Sequence, residues 1–298
     1  MQQRHHRLVT LFSFLCLATA SAQTKVVALH PLMADLAKQV GGEHVEVVSL
    51  MRAGDDPHHF TPSPTMLNQA RGASLYLASG MGLETYLDKL RDTLGNSATI
   101  LEVGNTLPAR TNSGDAHQHD HEHGEHCNHG PTDPHWWHRV SNMQRAADHL
   151  ARTLSKLDPA HAQDFQANAK AYRKELAQLH SWIRRELIRI PKEKRKLATA
   201  HDSFGYFCDE YGMQSLAVQG INKSSAPTAK ELAEIINTIR TKNIPAVFPE
   251  QRSNPKALKT LSKETGIRIG GTLIADGSES YTKMMRHNVN TITKALVE

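Results

Sequence analysis

Cysteine is scarce in this sequence, with three residues among 298. Cys16 lies in an N-terminal apolar run, Cys127 in a histidine-rich stretch, and Cys208 in a segment typical of a helix, DSFGYFCDEYG. A disulfide between Cys127 and Cys208 is possible, but the spacing does not indicate one.

Apolar runs long enough to cross a bilayer are absent, because no segment approaches the roughly 20 apolar residues that a membrane helix needs. One shorter run, LVTLFSFLCLATA at residues 8–20, follows Arg4 and Arg7. It leads into Ala-Ser-Ala at 20–22, which supplies the small residues that signal peptidase requires. We predict a signal peptide over residues 1–22, cleaved after Ala22, and export of a soluble protein to the periplasm.

Two further absences narrow the class of protein. Leu15 precedes Cys16 where a lipid-attachment signal needs a small residue, so we expect no lipid anchor. A strong charge excess is also missing, because the formal charge of +5 falls to +3 when Arg4 and Arg7 leave with the signal peptide. Such a mild charge does not indicate binding to nucleic acid.

Histidine, by contrast, is abundant. The stretch DAHQHDHEHGEHCNHG, residues 115–130, holds six histidines, four carboxylates and one cysteine. Nothing in it could build a core, so we expect a solvated loop. Imidazoles and carboxylates are ligands for zinc, copper and nickel, which favours metal contact over a merely solvated insert. The candidate ligands of this loop are His117, His119, His121, His123, His126 and His129.

Strand-like and helix-like segments alternate on both sides of the histidine-rich loop. KVVAL (25–29), PLMADLAKQVGG (31–42) and HVEVVSL (44–50) read as a β-α-β unit. A second alternating set runs from KLATA (196–200) to a last strand predicted at IGGTLIA (269–275). We therefore predict an α/β protein with two α/β lobes.

The segment between the lobes has apolar residues at helical spacing. Asp158 and Pro159 form an N-cap and N1 pair, and neither glycine nor proline interrupts residues 160–190. We predict one long rigid helix over 158–190 that links an N-terminal lobe (23–157) to a C-terminal lobe (191–298), rather than two ordinary helices. The residues expected on its buried face are Phe165, Ala169, Tyr172, Leu176, Leu179, Ile183 and Leu187.

Histidine also recurs in three short motifs outside the loop. These are DPHHF (56–60), DPHWW (133–137) and AHD (200–202), each interpreted as lying at or just after a strand end. Asp276 has the same position after the strand-like TLIA. Ligands gather beyond the carboxyl ends of strands in open α/β sheets, so these side chains could converge. Three imidazoles and one carboxylate make a four-coordinate zinc set.

Several sequence segments together resemble those of the metal-binding solute receptors of bacterial ABC transporters, specifically the high-affinity zinc-uptake type. They are PHHFTPSP, DPHWW, AHDSFGYF, GINKSSAPTAKELAEII, the ADG turn and YTKMMRHNVNTI. The resemblance covers the whole mature chain in order. It implies two lobes joined by one long rigid helix, metal in the cleft between them, and delivery of Zn²⁺ to an inner-membrane ABC permease.

The same resemblance implies a ligand set, with His59 as a neighbour of the site rather than a ligand. The implied ligands are His58, His135, His201 and Asp276. Two departures leave alternatives open. His138 stands where the family usually has leucine and is a rival ligand, while Gly-Ser follows Asp276 in place of the usual Leu-Gly. Glu250 is an alternative fourth ligand, unless it only forms a salt bridge at a strand end.

The third ligand bears on the choice of metal. Manganese receptors of the family have glutamate where His201 stands, and imidazole at that position suits zinc better, with manganese as the alternative.

A zinc hydrolase would keep three ligands and an open water position, but no HExxH motif is present. A periplasmic metal buffer would not need two lobes. We predict a monomeric zinc receptor that is not an enzyme.

Overall fold

Two four-stranded parallel sheets form the framework of the protein, seen in a computed structural model that describes residues 23–111, 132–217, 228–251 and 255–297. The first sheet has the order β2-β1-β3-β4 and the second β6-β5-β7-β8. Its strands are β1 (Thr24–Ala28), β2 (Val45–Ser49), β3 (Leu75–Ala78) and β4 (Thr99–Glu102) in the first sheet. The second contains β5 (Lys196–Thr199), β6 (Gln214–Ala217), β7 (Ala246–Phe248) and β8 (Arg268–Ile269).

Nine α-helices in the described residues surround these sheets. They are α1 (Pro31–Gly41), α2 (Pro64–Gln69), α3 (Leu87–Leu94), α4 (Val140–Leu157), α5 (Ala162–Leu187), α6 (Gly205–Tyr211), α7 (Ala229–Thr241), α8 (Pro255–Thr265) and α9 (Tyr281–Val297). None of them is long and apolar enough to cross a membrane. The predicted signal peptide and the histidine-rich loop lie outside the described residues.

Helix α5 is the long linking helix that the sequence predicts. It is shorter than 158–190, because residues 159–161 form a 3₁₀ turn before the α-helix begins at Ala162. Its 26 residues give a length of about 39 Å at 1.5 Å per residue. All seven apolar residues expected on its inner face are buried. The predicted lobe boundaries around it stay predictions.

The two lobes share one continuous apolar cluster. It includes Leu32 of α1, Leu150 of α4, Leu176 of α5, Phe207 of α6 and Val289 of α9. Helix α9 follows the second sheet in sequence and packs back against α5. Because close-packed interiors resist deformation, we expect the lobes to move only slightly relative to one another.

The last predicted strand, at residues 269–275, is mostly wrong. Only Arg268–Ile269 pairs with β7, and one isolated bridge joins Leu273 to Glu250. A Cβ at Gly270 would lie 2.5 Å from the Phe248 ring, so the backbone approaches β7 closely at this point. The chain then leaves the sheet in an irregular loop, and this loop carries Asp276.

Candidate metal centre

Four side chains from distant parts of the chain converge between the lobes. His58 lies in the β2–α2 loop, and His135 precedes the 3₁₀ turn that leads into α4. His201 comes two residues after β5, and Asp276 precedes α9. Each of the four offers one ligand atom, and these atoms all lie within 4.8 Å of one another. Both lobes therefore contribute to one cluster.

The strand-end interpretation that led to these residues is correct for His201 alone. His58 comes nine residues after β2, and His135 comes more than thirty residues after β4. Asp276 follows an isolated bridge instead of a strand. Loops carry these three side chains to the cluster, so other local interactions must position them.

The repeated Asp-Pro-His motif supplies one such interaction. Asp56 Oδ1 accepts the backbone N–H of His58 at 3.0 Å, and Asp133 Oδ1 accepts that of His135 at 3.0 Å. Proline between the two residues restricts φ and stiffens the turn. The motif is therefore a local device that presents the histidine ring.

Carboxylates also hold the far sides of two imidazoles. Asp133 Oδ1 lies 2.8 Å from His135 Nδ1, and Glu250 Oε2 lies 2.5 Å from His201 Nδ1. A ring that donates its Nδ1–H to a carboxylate presents the Nε2 lone pair on its other side. The hydrogen bond to Asp133 assigns the tautomer of His135 and directs its Nε2 atom into the cluster, and the ion-pair contact with Glu250 leaves the Nε2 atom of His201 on the cluster side.

The Nε2 atoms do meet at the centre. His58 Nε2 lies 3.3 Å from His135 Nε2 and 3.8 Å from Asp276 Oδ1. His201 Nε2 lies 3.6 Å from Asp276 Oδ1. His58 and His135 are buried and the other two are partly buried, so the centre is shielded from water on most sides. Three nitrogen atoms and one carboxylate oxygen thus surround a single point.

The alternative ligands lie elsewhere. Glu250 sits behind His201, and its Oε1 accepts the backbone N–H groups of Ala200 and His201 at 3.2 Å each. Glu250 therefore forms a salt bridge to His201 and is not a fourth ligand of the cluster.

The side chain of His59 is 61% exposed and contacts Asp56. His138 is buried, and its Nε2 donates to the carbonyl oxygen of Ala275 at 3.0 Å. None of the three belongs to the cluster.

His138 instead helps to hold the loop that carries Asp276. Trp137 Nε1 donates to the same Ala275 oxygen at 3.0 Å. His30 accepts the N–H of Leu32 through Nδ1, so its Nε2 carries the proton and donates to the Asp276 carbonyl oxygen at 3.0 Å. Three N-terminal side chains thus fix the backbone of a loop from the C-terminal lobe.

Burial keeps two of these histidines neutral. Desolvation lowers the pKa of His30 to about 4 and that of His138 to about 4, although Asp276 raises both in part. An uncharged ring close to the centre adds no repulsion toward a bound cation.

We expect the metal-free protein to lose stability as the pH falls from about 6.5 to about 4. Over this range the unfolded chain binds protons that His30 and His138 exclude when folded, so stability is fully present above 6.5 and declines below it. Each ring contributes on the order of 3 kcal/mol. Urea titrations at several pH values, with a chelator present, measure how steeply the free energy of unfolding falls with pH.

A matched pair of variants isolates one ring in this experiment. His138→Gln keeps an N–H donor for the Ala275 carbonyl but does not titrate, so it should show about half the pH dependence that the two rings supply. His287→Gln, at an exposed position that donates to the Thr272 carbonyl, controls for the substitution. Equal slopes for His138→Gln and the wild type would contradict the assignment.

An arginine connects this cluster to the opposite lobe. Arg110 Nη1 donates to Asp133 at 3.2 Å, and its Nε donates to Asp209 of α6 at 3.0 Å. The backbone N–H of Arg110 donates to the Tyr206 hydroxyl at 2.7 Å. Asp133, which orients His135, is thereby tied to the second lobe. Sequence analysis missed Arg110, because no motif marks it.

We expect Asp133→Asn to weaken metal binding by about 10- to 100-fold, the usual effect of losing the partner that orients a histidine ligand. The amide can no longer accept charge-assisted bonds from both His135 and Arg110. Asp209→Asn is the matched control, because it removes the outer partner of Arg110 and leaves the bond to His135 intact. Competition titration with a zinc chelator measures both, and equal losses would refute the orienting role.

Comparisons with known proteins agree with this architecture. Residues 26–295 match the model of the family ZnuA, "Zinc-uptake complex component A periplasmic". The chain is 34% identical over 291 residues to the manganese-binding lipoprotein MntA of Bacillus subtilis (strain 168), covering 93% of this chain and 91% of that protein. It is 30% identical to the zinc-binding protein TroA of Treponema pallidum (strain Nichols) over 94% of this chain and 91% of TroA.

A solved structure extends the likeness to three dimensions. The periplasmic zinc-binding protein TroA of Treponema pallidum superimposes with a TM-score of 0.80 at 28% identity, covering 93% of this chain and all of the TroA chain. Both lobes and the linking helix are thus those of a solute receptor. The chain belongs to the ZnuA family, the metal-binding substrate receptors of ABC transporters, which are not enzymes.

Proposed function

We propose that this protein captures Zn²⁺ outside the cytoplasm and delivers it to an ABC permease. The ion is cargo, held by His58, His135, His201 and Asp276. The observation that carries the proposal is the convergence of three imidazole nitrogens and one carboxylate oxygen within 4.8 Å. A donor set of this kind matches a closed four-coordinate zinc site.

The separations of the donor atoms support tetrahedral coordination. Zinc–nitrogen bonds of about 2.0–2.1 Å place neighbouring ligands of a tetrahedron about 3.3–3.4 Å apart. His58 Nε2 and His135 Nε2 are already 3.3 Å apart. Asp276 Oδ1 is 3.6 Å from His201 Nε2 and 3.8 Å from His58 Nε2, which are both close to that separation.

Manganese is the alternative cargo, favoured by the 34% identity to a manganese-binding lipoprotein. Manganese prefers oxygen-rich sites with more ligands, and imidazole nitrogen supplies most donors here. A competition titration of the purified protein with both metals separates the two candidates. Zinc held against an excess of manganese supports the proposal, and manganese held against zinc overturns it.

The family and the predicted signal peptide both support this location and this delivery. Cleavage after Ala22 would release residues 23–298 into the periplasm, where the lobes collect the ion and present it to the permease. Binding should release protons, because each imidazole must be neutral to coordinate a metal. No chemical step occurs during this cycle.

The histidine-rich loop at 115–130 has an auxiliary role in this proposal. Six imidazoles on a segment predicted to be a solvated loop should lose more conformational freedom around an ion than a preformed cluster does, so this segment should bind zinc more weakly. It ends five residues before His135 and could collect ions close to the cleft.

Deletion of residues 115–130 should leave one tight zinc site and remove the weaker ones. Calorimetry of the deletion variant measures both classes. Loss of the tight site in this variant would show that the loop is the principal receptor and that the cluster is not.

A further inference from the structure

A basic segment lies at the end of the linking helix. Residues 184–196 read RRELIRIPKEKRK and span the last turn of α5, a 3₁₀ turn at 192–194 and the first residue of β5. This stretch, named here the basic end, contains seven cations and two carboxylates, a formal charge of +5. Residues 23–298 carry +3 in total, so the rest of the chain carries −2. All of the positive excess is therefore concentrated in one place.

Some of these cations have structural partners. Arg195 donates to the carbonyl oxygens of Ile190 and Ile188, at 3.0 and 3.3 Å. Lys196 donates to the Lys242 carbonyl at 2.6 Å, and Arg189 pairs with Glu186. The remaining four cations are Arg184, Arg185, Lys192 and Lys194, of which the first three are exposed and the last is partly exposed. Four cations thus face outward with one exposed carboxylate, Glu193, among them.

An apolar side chain stands in the middle of this charge. Ile188 is 72% exposed, the most exposed of the large apolar side chains in the described part of the chain. It follows Leu187, which is buried in the shared core, and it packs into no apolar cluster. An aliphatic residue surrounded by cations has the chemistry of a surface that meets anionic lipid.

The helix dipole does not account for the whole pattern. Cations in the last turn of a helix are stabilising, which explains Arg184 and Arg185. Lys192 and Lys194 lie beyond the end of α5, and Arg195 already donates to the carbonyl oxygens of Ile188, the C-cap residue, and Ile190. Neither the dipole nor capping explains the exposure of Ile188.

A discrete anion site is also a poor fit. A cavity of about 310 Å³ adjoins Ile188 and is lined by Arg184, Arg195 and Tyr211. Glu210 lines the same cavity, so a single small anion would meet a carboxylate there. The cations are spread along residues 184–196 at exposed or partly exposed positions, which suits a broad surface better than a pocket.

We propose that the basic end binds the anionic phospholipid surface of the membrane, with Ile188 entering the headgroup layer. The proposal relies on the extracytoplasmic location given above but not on the identity of the metal. The basic end lies at the amino end of β5, whereas His201 follows the carboxyl end of the same strand. A receptor held in this way stays near the bilayer with its metal cluster at the opposite end of the second sheet, so presentation of the ion to the permease requires release from this contact.

Vesicle sedimentation of residues 23–298, with a chelator present, tests this proposal. Each basic residue near an anionic surface strengthens binding about fivefold. The wild type should therefore bind vesicles of equal parts phosphatidylglycerol and phosphatidylcholine at least about 100-fold more tightly than phosphatidylcholine alone. Salt should weaken the binding by screening. Equal binding to both vesicle types would overturn the proposal.

Matched variants locate the contact. Lys192→Glu with Lys194→Glu should reduce binding at least about 25-fold. Lys89→Glu with Lys170→Glu, at exposed positions outside the basic end, makes the same change in net charge and should retain wild-type binding. Ile188→Ser changes no charge and should reduce binding about tenfold. Equal losses in the two double variants would show that net charge alone acts.

A second readout keeps folding and metal binding separate from lipid binding. Thermal unfolding and zinc affinity should be unchanged in the Lys192→Glu/Lys194→Glu variant, because its changes lie far from the metal cluster. If the Lys192→Glu/Lys194→Glu variant sedimented with anionic vesicles as well as the wild type does, the proposal would be overturned even if the zinc site proved correct. Failure of zinc binding in the wild type would instead count against the proposed cargo.

Discussion

Alanine at His58, His135 or His201 is expected to weaken tight zinc binding by at least about 10- to 100-fold in each case. That range is the usual loss when only the outer partner of a ligand is removed, so removing the ligand itself should exceed it. The three Nε2 atoms face one centre in the described part of the chain, so each change removes one of the four clustered donors. Competition with a calibrated chelator measures each affinity.

His59→Ala is the matched control for this series. His59 is adjacent to His58 in sequence, but its ring is exposed and contacts only the Asp56 carboxylate in the described structure. Its loss should leave the zinc affinity nearly unchanged. A strong effect of His59→Ala with a weak effect of His58→Ala would show that the ligand assignment is displaced by one residue.

Glutamate at position 201 is expected to shift metal preference from zinc toward manganese. The change replaces an imidazole with a carboxylate and gives two nitrogen and two carboxylate ligands, a harder set. Zinc affinity should fall about 10- to 100-fold, while manganese affinity should rise or hold. The ratio of the two dissociation constants, measured by competition, is the quantity to compare.

The environment of His201 makes this experiment sharper. Glu250 lies against the far side of the ring, so His201→Glu alone would place two carboxylates together. His201→Glu combined with Glu250→Gln relieves that repulsion. The glutamine still offers an oxygen acceptor to the backbone N–H groups of residues 200 and 201. The double variant should therefore bind manganese more tightly than the single one. An unchanged metal ratio in both would refute the role of His201 in selecting the metal.

Much of the fold can be predicted because its signals are local. The buried face of α5 follows from apolar spacing alone, and short β-branched runs mark β1 and β2. Helix α4 shows the same kind of spacing, from Val140 through Met143, Ala147, Leu150 and Leu154. The sequence therefore carries a local signal for α4 as well, although the predictions above do not include this helix.

Other features depend on contacts between distant residues and leave no such signal. The backbone at Gly270, where the chain leaves the sheet, approaches the ring of Phe248 on another strand. Arg110 meets Asp209 across 99 residues of sequence. His30 meets the Asp276 backbone across 246 residues. Motif resemblance indicated the four clustered side chains, but it could not reveal the residues that position them.

Anomalous scattering at the zinc absorption edge from crystals of the zinc-loaded protein tests the central claim most directly. The account predicts one strong peak between the lobes, about 2.0–2.2 Å from His58, His135, His201 and Asp276. Data collected on both sides of the edge identify the element as well as its ligands. A principal peak elsewhere, a peak coordinated by Glu250 or His138 in place of these residues, or an absence of zinc at the cluster would contradict the account.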